Sequence, residues 1–169
     1  MNESVFIGIG SNIEPEPHIR AALSGLAELG EIEGVSQFIR NPAIGREDQP
    51  DYVNGVIMIS TPLSAKTLKT VMRALEAALG RKRSADKFAS RTIDLDVLLY
   101  GNATIPDLEI PDPHVWDRAI VAKTVAQIDG NLIVPVVGRT IGEIAEELPS
   151  DNLDPLDEFS RLIKKEYLH

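Results

Sequence analysis

The chain has 169 residues, 43% of them apolar, and a net charge of −9 at pH 7. That is enough apolar material for one domain with a sizeable core, and no apolar run approaches the ~20 residues of a membrane span. The absence of cysteine excludes disulfides and thiolate metal sites, and the acidic balance argues against a broad nucleic-acid surface, which needs a basic face.

Val5 to Gly10 reads as a short buried strand that Ser11-Asn12 leaves in a turn. Pro15 and Pro17 are expected to keep the next stretch irregular. From His18 onward Ile19, Ala22, Leu23, Leu26 and Leu29 recur at helical spacing, and Gly30 sits where such a helix would stop. Val35 to Arg40 is expected to be a second strand, and residues 41–50 form a loop rich in turn formers. Tyr52 to Ser60 reads as a third strand, with Tyr52, Asn54, Val56 and Met58 on one face and Val53, Gly55, Ile57 and Ile59 on the other. Ser64 can cap a helix carrying Leu68, Val71, Met72, Leu75 and Leu79, which Gly80 ends.

A basic loop follows, and then a strand from Thr92 to Leu99. Pro106, Pro111 and Pro113 mark a stiff linker, and a helix is expected from about Trp116 to Gln127. Thr140 and Glu143 fit a capping box for a short helix. In the tail, Leu156, Phe159, Leu162 and Ile163 form the apolar stripe of a last helix. The order of elements predicts an α+β fold, a ferredoxin-like βαββαβ core with an antiparallel sheet and extra C-terminal helices. Its helices would cover one sheet face and leave the other for a ligand. One domain over residues 1–169 is expected, its core at about 4–130 and a helical extension at about 131–169.

The sharpest chemical signal is Arg91-Thr92-Ile93-Asp94-Leu95-Asp96-Val97-Leu98-Leu99. The odd positions from Ile93 to Leu99 are apolar and should enter the core, so Asp94 and Asp96 project together from the opposite face. Their Cα atoms should lie about 6.6 Å apart, from two strand steps of ~3.3 Å. Carboxylates so placed can flank hard cations, as magnesium sites shared with phosphates require. An ordinary solvent-facing strand surface is the competing reading. Aspartate is depleted in strands and like charges on one face repel, so something should compensate for the pair.

Arg81, Lys82, Arg83, Lys87 and Arg91 precede this strand against only Asp86. Guanidinium forks match phosphate oxygens, and a solvated basic loop is the alternative. Tyr52 and Asn54 share a face and suit a flat heterocycle with amide-like edges. Taken alone, such a pair is more often just an edge-strand surface.

Gly10-Ser11-Asn12, Asp48-Gln49-Pro50-Asp51-Tyr52-Val53-Asn54, Gly80-Arg81-Lys82-Arg83 and Arg91-Thr92-Ile93-Asp94-Leu95-Asp96 occur in this order. In combination they resemble the 6-hydroxymethyl-7,8-dihydropterin pyrophosphokinases of folate biosynthesis, from about Val5 to Ile128. The resemblance implies that Asp94 and Asp96 bind two Mg2+ ions bridging ATP oxygens, and that Arg81, Arg83 and Arg91 contact phosphates. It implies further nucleotide contacts from Glu76, Phe88, Asp112 and Arg118. The pterin would be held by Tyr52 and Asn54, with Asn41, Pro42, Ile44 and Ile120 around it.

The chain also departs from the family pattern. Asp112 stands in place of a nucleotide-contacting histidine, with His114 two positions on, and an N-cap role suits it. Ile120 replaces a phenylalanine that stacks on the second pterin face, and Trp116 is a candidate replacement ring. Asn41 stands where threonine is common, and Phe88 where some members have tryptophan.

The implied reaction is Mg2+-dependent transfer of pyrophosphate from ATP to the pterin, catalysed through Asp94, Asp96, Arg81 and Arg91, with release of AMP. The loops at 42–51 and 81–91 are expected to close over ATP, with Gly45 and Gly80 as hinges. A cytoplasmic monomer is expected, with a dimer left open, acting on small molecules without nucleic-acid or membrane partners. Two other readings are a non-catalytic pterin- or nucleotide-binding homologue and a ferredoxin-like regulatory module.

Overall fold

The structure is a computed structural model and describes residues 1–43, 48–82, 90–150 and 152–169. Six strands follow in chain order: β1 (Glu3–Ser11), β2 (Glu31–Val35), β3 (Ile39–Asn41), β4 (Tyr52–Thr61), β5 (Asp94–Tyr100) and β6 (Asp154–Pro155). They build one antiparallel sheet in the order β5-β1-β4-β3-β6, with β2 also pairing β4. The helices are α1 (Pro15–Ala27), α2 (Ala65–Ala78), α3 (His114–Asp117), α4 (Ala119–Asp129), α5 (Ile141–Glu147) and α6 (Asp157–Tyr167). This is the α+β sandwich that the βαββαβ order predicts.

Alternation along the central strands separates two cores. Val5, Ile7 and Ile9 of β1, Ile57 and Ile59 of β4 and Leu95 and Val97 of β5 face α1, α2 and α6. Phe6, Val56, Leu98 and Leu99 face the other way, against Val115, Ala122, Val125 and Ile144 from α3, α4 and α5. The second sheet face is therefore half covered, and a ligand can reach only the part that α3 to α5 leave open.

The structure corrects several sequence expectations for physical reasons. The first helix begins at Pro15, not His18, because proline's missing N–H and fixed φ are tolerated in a first turn. The strand expected over Val35 to Arg40 is two short strands. At the break, the Ser36 hydroxyl accepts from the Val56 amide at 2.8 Å and donates to the Gln37 carbonyl at 2.8 Å. Leu99 leaves the odd-numbered face because the β1–β5 register shifts between Phe6 and Ile7, with Phe6 opposite Leu99 and Ile7 opposite Val97. The helix expected from Trp116 is two helices joined at Arg118, whose backbone is extended. Leu162 is exposed, and Phe159, Ser160 and Ile163 form the buried face of α6 instead.

Other expectations hold. Ser64 caps α2, accepting from the Thr67 amide at 3.2 Å, and Gly80 follows that helix at φ 90°. Thr140 caps α5 by accepting from the Glu143 amide at 3.2 Å.

Candidate active site

The site opens on β1, where two glycines face outward. Gly10 lies between Asn54 of β4 and Asp94 of β5, and Gly8 between Val56 and Asp96. A Cβ on Gly10 would stand 2.5 Å from the Asn54 Oδ1. Bare backbone thus forms a floor between the amide side and the carboxylate side. Above it is a cavity of about 1070 Å3 that Asn41, Pro42, Tyr52, Asn54, Arg91, Asp94, Asp96, Asp112, Arg118 and Ile120 line. An adjoining cavity of about 230 Å3 adds Glu76 and Arg81 and shares Arg91, Asp94, Asp96 and Asp112. Of the residues expected at the site, Ile44, Arg83 and Phe88 lie outside the described residues, as do the expected hinge Gly45 and most of the loop over 81–91.

The carboxylate wall is asymmetric. Asp94 is held by two guanidiniums: Arg81 Nη1 donates to its Oδ1 at 2.8 Å and Arg91 Nη1 to its Oδ2 at 3.0 Å. Arg81 also donates to Glu76 Oε2 at 2.6 Å, and that same oxygen accepts from the Leu95 amide at 2.8 Å. Glu76 is buried at 3% exposure and so ties α2 both to β5 and to Arg81. Burial alone would lower the Arg81 pKa; Asp94 and then Glu76 outweigh it and hold it above its ordinary value.

Asp96 has no hydrogen-bond or ion-pair partner among the described residues and is exposed to the cavity. Desolvation, then the charges of Asp94, Asp112 and Glu76, push its carboxyl from 3.8 up to about 7, against an opposing pull from Arg81. An uncompensated carboxylate beside a neutralised one is a set of oxygen donors that suits a hard cation. Among the described residues no three or more His, Asp or Glu side chains gather to hold a metal alone. The arrangement fits magnesium, which takes one or two carboxylates and completes its shell with water and phosphate.

The opposite wall is neutral. Asn54 Nδ2 donates to Asn41 Oδ1 at 2.7 Å, which fixes both amides. Burial raises the Tyr52 pKa, more than Arg91 lowers it, so Tyr52 remains a phenol. Ile120, Val121 and Trp116 line the cavity from α3 and α4. Asp112 accepts from the His114 amide at 2.9 Å in the turn that leads into α3 while lining both cavities, but the N-cap of that helix is Pro113, so the capping role expected of Asp112 is not the one it takes. His114 also lines the larger cavity, its Nδ1 3.1 Å from Asp117 Oδ1. Arg118 is exposed and has no ion-pair partner among the described residues.

Sequence reasoning passed over two features. The alternation Gly8-Ile9-Gly10 signalled a strand with one bare face. Asn12, buried at 2% exposure, joins segments far apart in the chain. Its Oδ1 accepts from the Arg91 amide at 2.8 Å, and its Nδ2 donates to Gln49 Oε1 at 3.1 Å and to the Pro50 carbonyl at 3.3 Å.

Guanidiniums and acids facing a neutral, amide-edged wall serve a reaction in which a chain of phosphates meets a flat polar acceptor, and by class the molecule is a phosphotransferase. Residues 6–130 match the model of the 7,8-dihydro-6-hydroxymethylpterin-pyrophosphokinase (HPPK) family, and the chain belongs to that family. It is 34% identical over 161 residues to the 2-amino-4-hydroxy-6-hydroxymethyldihydropteridine pyrophosphokinase of Pseudomonas aeruginosa, covering 92% of this chain and 98% of that protein. It is 35% identical over 137 residues to the enzyme of the same name from Haemophilus influenzae, covering 78% of this chain and 85% of that one.

The fold agrees. The crystal structure of Plasmodium falciparum HPPK-DHPS, wild type with STZ-DHP, matches over 99% of this chain with a TM-score of 0.66 at 11% identity. The chain spans 45% of that longer chain, and at that identity the likeness concerns the fold. The protein is thus an enzyme, a pyrophosphokinase of folate biosynthesis, and the reading as a regulatory module falls away.

Proposed function

We propose that this chain transfers the pyrophosphoryl group of ATP to the hydroxymethyl oxygen of 6-hydroxymethyl-7,8-dihydropterin. The observation that carries the proposal is the juxtaposition, across one glycine floor, of Asp94 and Asp96 with Tyr52 and Asn54. The acceptor oxygen attacks the β-phosphorus, the bond from that phosphorus to the α–β bridging oxygen breaks, and AMP leaves with that oxygen. Two Mg2+ ions on Asp94 and Asp96, when bound, would supply charge neutralisation on the phosphates and acidify the attacking hydroxyl.

The protein's own part is alignment. Arg91 lines both cavities and Arg81 the smaller one, each pre-ordered by Asp94, and Arg118 on the larger cavity offers a further cation. Glu76 fixes the Arg81 guanidinium. Asn54 and Asn41 read the polar edge of the pterin, and the Tyr52 ring offers it a stacking surface. Small-molecule chemistry in the cytoplasm by a monomer completes the reading; no described helix is long and apolar enough to cross a membrane.

Asp112 borders both cavities together with Arg91, and the smaller one with Arg81, so its carboxylate adds negative charge beside the arginines. Incubation with Mg2+, ATP and the hydroxymethyl dihydropterin tests the reaction: AMP that forms only with pterin supports it, and binding without AMP overturns it. Asp94→Ala and Asp96→Ala are each expected to lower kcat on the order of a hundredfold to a thousandfold. Turnover untouched in either variant overturns the proposal.

A further inference from the structure

We propose that Val136, in the loop between α4 and α5, is a substrate-contact residue that forms part of the wall for the acceptor's flat ring. The inference rests on the reading above and deepens it. Val136 lines the larger cavity with Ile120, Val121 and Thr124, on the α4 side, whereas Tyr52 and Asn54 line it from β4. It is 74% exposed, so packing within the protein does not account for an apolar side chain there. Its φ is 74°, a region that β-branched residues rarely adopt and that glycine and asparagine take readily. If the shape of the turn were all that mattered, either would serve better.

The loop is fixed in place. The Val134 amide donates to the Arg139 carbonyl at 2.9 Å, the Gly138 amide donates to the Val134 carbonyl at 2.9 Å, and Ile133 bridges Thr140. A rigid turn thus presents a branched aliphatic group, at a conformational disadvantage, to the cavity. An aliphatic group lining the same cavity as Ile120 and Val121 matches the apolar face of a flat heterocycle, whose edge then remains for the amides.

The test uses Val136→Gly and Val136→Asn, both of which suit the backbone and should fold with a melting temperature equal to the parent's or higher. KM for the pterin and KM for ATP are measured separately. The pterin Kd is measured by its intrinsic fluorescence, with a non-hydrolysable ATP analogue present. A rise of threefold or more in both pterin constants, with KM for ATP and kcat within twofold, supports the proposal. A rise below threefold in both variants overturns it. Failure of the parent protein to make AMP would sink the proposed reaction instead, and the fluorescence Kd would still decide the role of Val136.

Discussion

Asn12 shows how one buried amide can hold a site to which it adds no chemistry. It offers one acceptor and two donors, and the structure uses both kinds, between the segment ending at Pro50 and the one beginning at Ser90. Arg91 follows directly, so the position of its guanidinium against Asp94 depends on Asn12. Asn12→Ala strips the Arg91 amide of its acceptor inside a buried site. Leaving such a group unpaired costs about 1–3 kcal/mol, so urea unfolding should show a loss of that size. KM for both substrates should rise together, because the bases of both loops shift. Asn12→Asp keeps the acceptor and loses the donors, and an intermediate loss is expected. Sequence reading found this residue only as part of Gly10-Ser11-Asn12. Its partners lie 37, 38, 78 and 79 positions away, beyond what local pattern can show.

At the scale of elements, the carboxylate strand was legible and the register of its pairing with β1 was not. Alternation at Ile93, Leu95 and Val97 forces Asp94 and Asp96 to one face whatever surrounds them, and the structure puts both in one cavity. Period also revealed β4 and α2, which are long enough to repeat it. β2, β3 and β6 are too short for a period, and the shift near Leu98 depends on pairing with β1 that no single strand encodes. The bare floor of β1 belongs at this scale too. Gly10→Ala would drive its methyl into Asn54 Oδ1 and displace the amide from Asn41. Overpacking of that kind costs typically ~1–3 kcal/mol. Pterin KM should rise about tenfold while KM for ATP stays near its parent value; steady-state kinetics with each substrate varied in turn reads both.

For the molecule as a whole, Asp96 couples the site to folding. Its folded pKa, about 7, stands above its unfolded value of 3.8. Between these values the folded state binds more protons than the unfolded one, so stability falls as pH rises through that interval. The full linkage of ~1.4 kcal/mol per unit is cut because the carboxyl meets solvent in the cavity. A loss on the order of 1 kcal/mol between pH 4 and pH 8 is expected, and Asp96→Asn should remove it. Urea midpoints of the metal-free protein at the two pH values, parent against variant, measure the difference. A parent no more pH-sensitive than the variant contradicts it.

The far margin of the sheet carries a consequence of its own. β6 offers only Asp154 and Pro155, yet it lies along β3, where Pro155 pairs with Ile39. Leu156 then donates to the Phe38 carbonyl at 2.8 Å, and Phe159 of α6 meets the Phe38 ring edge-on at 5.5 Å. Proline lacks the N–H with which a foreign strand could register, and an aspartate next to it adds charge. Two residues thus act as a selvedge, finishing a border that would otherwise fray into pairing with other chains.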